Sequence, residues 1–158
     1  MKIRIKGILP ERTEDAPFIG ALVCAVDCNI NCKGCFNQDL KELPIIEVEA
    51  DEIISKIISN PFNKGIILAG LEWTLQPEEM KELVYAAKHN GLEIMLYTGL
   101  TEETFKSRFP EVYWLSDIYI KFGIYDERLK CNNNFAYNVK LISSNQKIIK
   151  TKGETDFE

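Results

Sequence analysis

Cys28, Cys32 and Cys35 stand in the run Asp27-Cys28-Asn29-Ile30-Asn31-Cys32-Lys33-Gly34-Cys35-Phe36-Asn37, three thiols spaced C-x3-C-x2-C on one short stretch. Thiolates are soft ligands that select iron-sulfur clusters, zinc or cuprous copper over hard ions. Three of them can hold a metal centre and leave one of its positions open, whereas a structural zinc site usually closes with four protein ligands. An open position is what binding and activating a small molecule requires. The competing reading of the same residues is a structural zinc knuckle that recruits Cys24 or Cys131 as its fourth ligand.

The elements that must position these thiols follow from the apolar pattern. Lys2-Ile8 reads as a strand with Ile3 and Ile5 inward, and Phe18-Val26 as a second strand, apolar on both faces, that delivers the chain to the cysteine loop. A helix is expected at about Asp51-Asn60, with Ile53, Ile54, Ile57 and Ile58 on one face and its end set by Asn60-Pro61. Gly65-Gly70 is then a short buried strand, and Pro77 opens a helix that reaches Asn90 and stops at Gly91. Leu92-Thr98 is the next strand. Thr101 has the chemistry of an N-cap, followed by Glu102 and Glu103 in the positive first turn, with Leu100 and Phe105 spaced as a hydrophobic staple and Pro110 closing the helix. Ser116-Phe122 is a further strand. Tyr125-Tyr137 turns polar, with Asn132-Asn133-Asn134 marking a loop, and Ser143-Lys150 is a last strand before a tail without apolar pattern.

Strands alternating with helices through short turns mean βαβ units, a parallel sheet and an α/β fold. In such sheets the ligand site lies at the carboxyl ends of the strands. There the cysteine loop, Ala69-Gly70-Leu71-Glu72, Thr98-Gly99 and Lys121-Phe122-Gly123 all fall. The recognisable βα units are too few to close an eight-stranded barrel of ~250 residues. The expected architecture is therefore an open, shortened, partial (β/α) barrel, one domain over residues 1-150, with 151-158 as a tail.

Composition narrows the function. The chain has 158 residues, is 46% hydrophobic and 27% charged, and suits one domain with a real core. A net charge of -5, with lysines scattered along the chain, gives no basic footprint for nucleic acid. No apolar stretch approaches the ~20 residues a membrane helix needs. Five cysteines are an odd number, and Met1-Lys6 alternates as a strand would instead of forming a signal peptide, so reduced thiols and a cytoplasmic location are expected.

The C-x3-C-x2-C loop after the first core strand resembles that of the radical S-adenosylmethionine enzymes. Within them, Cys32-Lys33-Gly34-Cys35-Phe36-Asn37 is similar to the cluster loop of the activating proteins of anaerobic ribonucleoside-triphosphate reductases. Ala69-Gly70-Leu71-Glu72 stands where the family has Gly-Gly-Glu, Tyr97-Thr98-Gly99 resembles a Thr-Gly strand end, Asp117-Gly123 resembles an Asp-containing strand leading to glycine, and Ser143-Lys147 resembles a terminal Ser-Asn-Gln segment. The likeness runs from about Phe18 to Lys150. Two positions depart from the pattern: Leu71 replaces the second glycine, where its bulk could crowd a ligand, and Trp73 replaces a common proline.

The resemblance implies that Cys28, Cys32 and Cys35 bind a 4Fe-4S cluster whose fourth iron chelates S-adenosylmethionine. A reduced flavodoxin- or ferredoxin-like donor would supply one electron, and the resulting 5'-deoxyadenosyl radical would take a glycine hydrogen from an anaerobic ribonucleotide reductase. Gly34, Phe36, Gly70, Leu71, Glu72, Thr98 and Lys121 would line the cofactor. Taken as residues, Gly70 allows close backbone approach, Glu72 can accept from an ammonium, and Lys121 is a charge in a strand otherwise apolar at Ile118 and Ile120. Cys24 reads as a small hydrophobe, Cys131 as an ordinary thiol and His89 as a structural helix-end cation. An open-sided site needs a cover, which favours a large protein substrate over a small metabolite. The alternatives are a radical enzyme acting on another protein, a peptide or a nucleotide derivative, and a zinc-stabilised binding module without catalysis.

Overall fold

The computed structural model of the chain describes residues 1-28 and 41-153. Four strands form its parallel centre: β3 (Gly20–Cys24), β5 (Gly65–Ala69), β6 (Glu93–Tyr97) and β7 (Ser116–Phe122). β3 and β5 are buried at every residue, which is why their sequences carry no polar alternation. β2 (Gly7–Arg12) adds antiparallel to β3, and β10 (Lys147–Lys152) adds antiparallel to β7. The resulting six-stranded sheet has the order β10-β7-β6-β5-β3-β2 and does not close on itself. This is the open, mostly parallel α/β sheet expected of a shortened barrel.

Helices cover one face. α1 (Ala50–Ile58) buries Ile53, Ile54 and Ile57, spaced to share one stripe, and α2 (Pro77–His89) buries Met80, Leu83, Val84 and Ala87. Pro77 sits in the first turn of α2, where its missing N–H costs nothing. α3 (Glu102–Arg108) starts at Thr101, whose hydroxyl accepts from the Thr104 N–H at 3.3 Å. Pro110 opens α4 (Pro110–Tyr113) as well as ending α3. Together these helices bury the side chains of Val23, Ile66, Leu68, Leu96, Ile118 and Ile120. At roughly 1.5–3 kcal/mol for each large side chain removed from water, this layer is the main source of stability.

The opposite face carries a second cluster, with Leu22, Cys24, Ile67, Ala69 and Met95 of the sheet packed beside Ala16, Phe18, Val139 and Leu141. Val139 and Leu141 belong to β9 (Val139–Ser143), which pairs with β8 (Lys130–Ala136) as a separate hairpin. The expected polar loop at Asn132-Asn134 is thus a strand. An edge strand facing water has no need of apolar alternation, so its composition conceals it. The expected first strand likewise divides in two. β1 (Lys2–Ile5) pairs with β4 (Ile46–Glu49), a strand the sequence pattern did not reveal, while β2 joins the main sheet. The expected last strand, Ser143-Lys150, is observed as β10, which starts later, at Lys147, and runs two residues further, the buried Thr151 hydroxyl accepting from the Ile118 N–H at 2.9 Å; β9, like β4, was not revealed by the pattern. Among the described residues no helix is long and apolar enough to cross a membrane.

Candidate functional site

The parallel strands β3, β5, β6 and β7 end on the same edge of the sheet, so the loops after Cys24, Ala69, Tyr97 and Phe122 emerge together. Three backbone groups then stitch the start of the cysteine loop to the loop after β5. The Ala25 N–H donates to the Ala69 carbonyl at 3.2 Å, the Glu72 N–H donates to the Asp27 carbonyl at 2.8 Å, and the Val26 N–H donates to Gln76 Oε1 at 2.9 Å. The Asp27 carboxylate accepts from the Cys28 N–H at 2.8 Å. Cys28, half-buried, is thereby fixed beside the residues 70-72. At the far end of the loop Lys6 holds the chain again, donating to the Lys41 and Leu43 carbonyls at 3.1 and 2.5 Å. Cys32, Cys35, Gly34 and Phe36 lie outside the described residues.

Gly70 is required where it stands. Its φ is +87°, and a Cβ there would meet Cys24 Cβ and Sγ at 2.9 Å. The close approach accounts for a small residue at 24 as well as at 70. Cys24 is buried, and that burial pushes its thiol up from the ordinary value, which favours the neutral, non-ligating form. Leu71 and Trp73 turn to the helix-covered face and join its core. Both side chains are core groups of that face. Trp73 is fully buried and donates its indole N–H to the carbonyls of Val23 and Ala69, at 3.1 and 3.2 Å.

Glu72 is 5% exposed. Its Oε2 accepts from the Thr74 N–H at 3.1 Å, the Thr74 hydroxyl at 2.7 Å and the Thr98 hydroxyl at 3.0 Å, while Oε1 accepts from the Gly99 N–H at 2.7 Å. Burying a carboxylate is costly unless donors surround it, and here four do. Thr98 in turn accepts from the Leu100 N–H at 3.1 Å and donates its own N–H to the Lys121 carbonyl at 2.9 Å. The sheet face opposite the helices carries Lys121, with Nζ 4.8 Å from the centre of the Tyr97 ring. The Tyr97 hydroxyl donates to the Asp15 carbonyl at 2.6 Å, and burial holds that phenol well above its ordinary value. The structure thus brings Cys28, Gly70, Glu72, Thr98 and Lys121 to one edge.

Sequence reasoning missed Gln76, which is almost fully buried. Its amide accepts from Val26 and donates Nε2 to the Arg4 carbonyl at 2.9 Å, holding β1 and the cysteine loop together. Thr74, Asp27 and Lys6 were missed too. Nothing in their local pattern separates them from solvated residues, although a Gln directly before a helix-opening Pro is a position where backbone contacts concentrate.

Comparison with known proteins agrees with this arrangement. Residues 19-149 match the family described as 4Fe-4S single cluster domain. Two relatives from Methanocaldococcus jannaschii have names that provisionally class them as glycyl-radical enzyme activating enzymes. One is 28% identical over 140 residues, covering 85% of this chain and 58% of its own length. The other is 29% identical over 134 residues, covering 83% of this chain and 50% of its own. The chain spans about half the length of these relatives. With the thiol triplet opening at the carboxyl edge of a parallel sheet and the match running through nearly all the strands that build it, the chain belongs to the 4Fe-4S single cluster domain family.

Proposed function

We propose that the protein is a radical S-adenosylmethionine activase that installs a glycyl radical on a partner enzyme, in the finer reading an anaerobic ribonucleotide reductase. The observation that carries it is the backbone bond between Asp27 and Glu72, which sets the next residue, Cys28, at the sheet edge where the loops of four parallel strands meet. The three-thiol donor set fits a 4Fe-4S cluster with one open iron, so Cys28, Cys32 and Cys35 would hold it. When bound, the cluster would supply the electron that splits the sulfonium of S-adenosylmethionine and so generate the radical that takes the glycine hydrogen.

The rest of the work belongs to this chain's own residues. Gly70 keeps the β5 end low enough for close backbone approach. Thr98, Gly99 and Lys121 bound the site from β6 and β7, Lys121 placing a cation beside an anionic or ribose group. Gly34 and Phe36 would flank the thiols from within the loop. The open side of the sheet leaves room for a loop of a large protein substrate, whose insertion would exclude water. A reduced flavodoxin- or ferredoxin-like donor and a cytoplasmic location belong to the same reading.

The test is anaerobic reconstitution with iron and sulfide, then mixing with an anaerobic ribonucleotide reductase, S-adenosylmethionine and a reductant. A glycyl-radical signal on the reductase in electron paramagnetic resonance is expected. Cluster-dependent cleavage of S-adenosylmethionine without that signal would move the substrate to another glycyl-radical enzyme or a peptide. Tightly bound zinc that iron does not replace would support the binding-module alternative.

A further inference from the structure

We infer that Glu72 is a positioning residue, a three-way junction that fixes Asp27, where the chain leaves β3, and the Thr98-Gly99 end of β6 relative to each other. Its carboxylate has about four acceptor sites, and Thr74, Thr98 and Gly99 bring four donors to them. Its main-chain N–H holds the third arm through the Asp27 carbonyl, one residue before Cys28. The same residue is therefore bonded to the loops that leave β3 and β6 while standing on the loop that leaves β5. Three of these donors converge on Oε2 and one on Oε1, so this chain's own groups engage both oxygens of the carboxylate. It acts through the two loops it joins, and Thr98 is the partner whose hydroxyl links them.

A merely structural role would cost stability and nothing else. A positioning role must also change how well a ligand is held while the chemistry, once the ligand is bound, persists. Only the second half of this statement rests on the function proposed above, because the junction forms without any cofactor.

The experiment therefore has two arms, on the full chain carrying Glu72→Gln, Thr98→Val or Thr98→Ser. In the metal-free protein, hydrogen exchange is read at the Gly99 and Glu72 amides. Glu72→Gln should speed exchange at Gly99 about tenfold or more, since a neutral amide oxygen replaces the charged acceptor, and Thr98→Val should speed it too by loosening the same carboxylate, with the Glu72 amide following as the junction loosens. Thr98→Ser, which keeps the hydroxyl, should restore protection. In the reconstituted protein, Glu72→Gln and Thr98→Val should raise KM for S-adenosylmethionine while changing kcat little, and the double variant should be no worse than Glu72→Gln alone. Unchanged exchange at Gly99 in Glu72→Gln alongside a raised KM would overturn the inference, because the carboxylate would then contact the ligand directly. Should Glu72→Gln fail to fold, Thr98→Val and its rescue by Thr98→Ser decide the matter. An unreactive wild type with the exchange pattern as expected would sink the radical reading and leave the junction standing.

Discussion

The segment Ala69-Gln76 and the hairpin β8-β9 use similar residues to opposite ends. Both carry small and polar side chains, yet Glu72 and Gln76 are buried and bond to residues far away in the chain, with Thr74 buried against Glu72, while Asn132 and Asn133 face water. Where Asn134 of the hairpin does bond, it reaches only the nearby Ser143 and Gln146 carbonyls. A polar group in the first setting has no water to fall back on, so each is matched by a partner and each partner ties another strand end. A polar group in the second exchanges one neighbour for a water molecule at little cost. The difference explains why the first region can hold strand ends in fixed positions and why the second serves as cover for the face it packs on.

Four substitutions break or sharpen this contrast, beginning with the largest. Trp73→Ala should cost about 3–5 kcal/mol in urea unfolding, since it empties a buried indole site, and Trp73→Phe about 1 kcal/mol for the lost donor. Gln76→Leu strands the Val26 N–H and the Arg4 carbonyl, so a loss of about 1–3 kcal/mol is expected in the same measurement. On the hairpin, Asn133→Thr should stay within about 0.5 kcal/mol of wild type. A larger cost there than for Gln76→Leu would remove the distinction between the two regions.

The smallest effect concerns Glu102, which joins α3 to Lys147 at the start of β10. Lys147, followed by the Tyr113 hydroxyl, holds its carboxyl below the usual carboxylate range. A depressed folded value means that the contribution to stability is present above the unfolded value, about pH 4.3, and is lost as pH falls through the folded one. Melting temperatures taken from pH 6 down to pH 3 should therefore fall slightly less for Glu102→Gln than for wild type. The gap should shrink in high salt, because Lys147 is more than half exposed. A gap that widened in salt would contradict the ion pair as its cause.

Much of the parallel core was legible in the sequence because burial on both faces leaves a mark. The uninterrupted apolar runs at Gly20–Cys24 and Gly65–Ala69 can be little else, and the stripes of α1 and α2 follow from spacing. β4 and β8 were not legible, since Ile46–Glu49 and Lys130–Ala136 lie where one side or both meet water and pairing alone sets their shape. At the site, Gly70 could be read from its place at the end of a buried strand. The engagement of Glu72 could not, because its partners Thr98 and Gly99 are distant in sequence and a carboxylate with four donors reads no differently from one in solvent. Leu71 and Trp73 depart from the family's pattern in sequence. Seen from the fold, they are core residues facing the helices.

The central claim of the proposed function is that Cys28, at this sheet edge, would hold together with Cys32 and Cys35 a cluster with one position open to S-adenosylmethionine. Quantifying 5'-deoxyadenosine after anaerobic reconstitution, with reductant and S-adenosylmethionine present, tests it most directly. The account predicts product from the wild type and from Cys24→Ala and Cys131→Ala, and none from Cys28→Ala, Cys32→Ala or Cys35→Ala. Product that survives loss of Cys35 but not of Cys131, or a wild type that binds zinc and forms none, would contradict it.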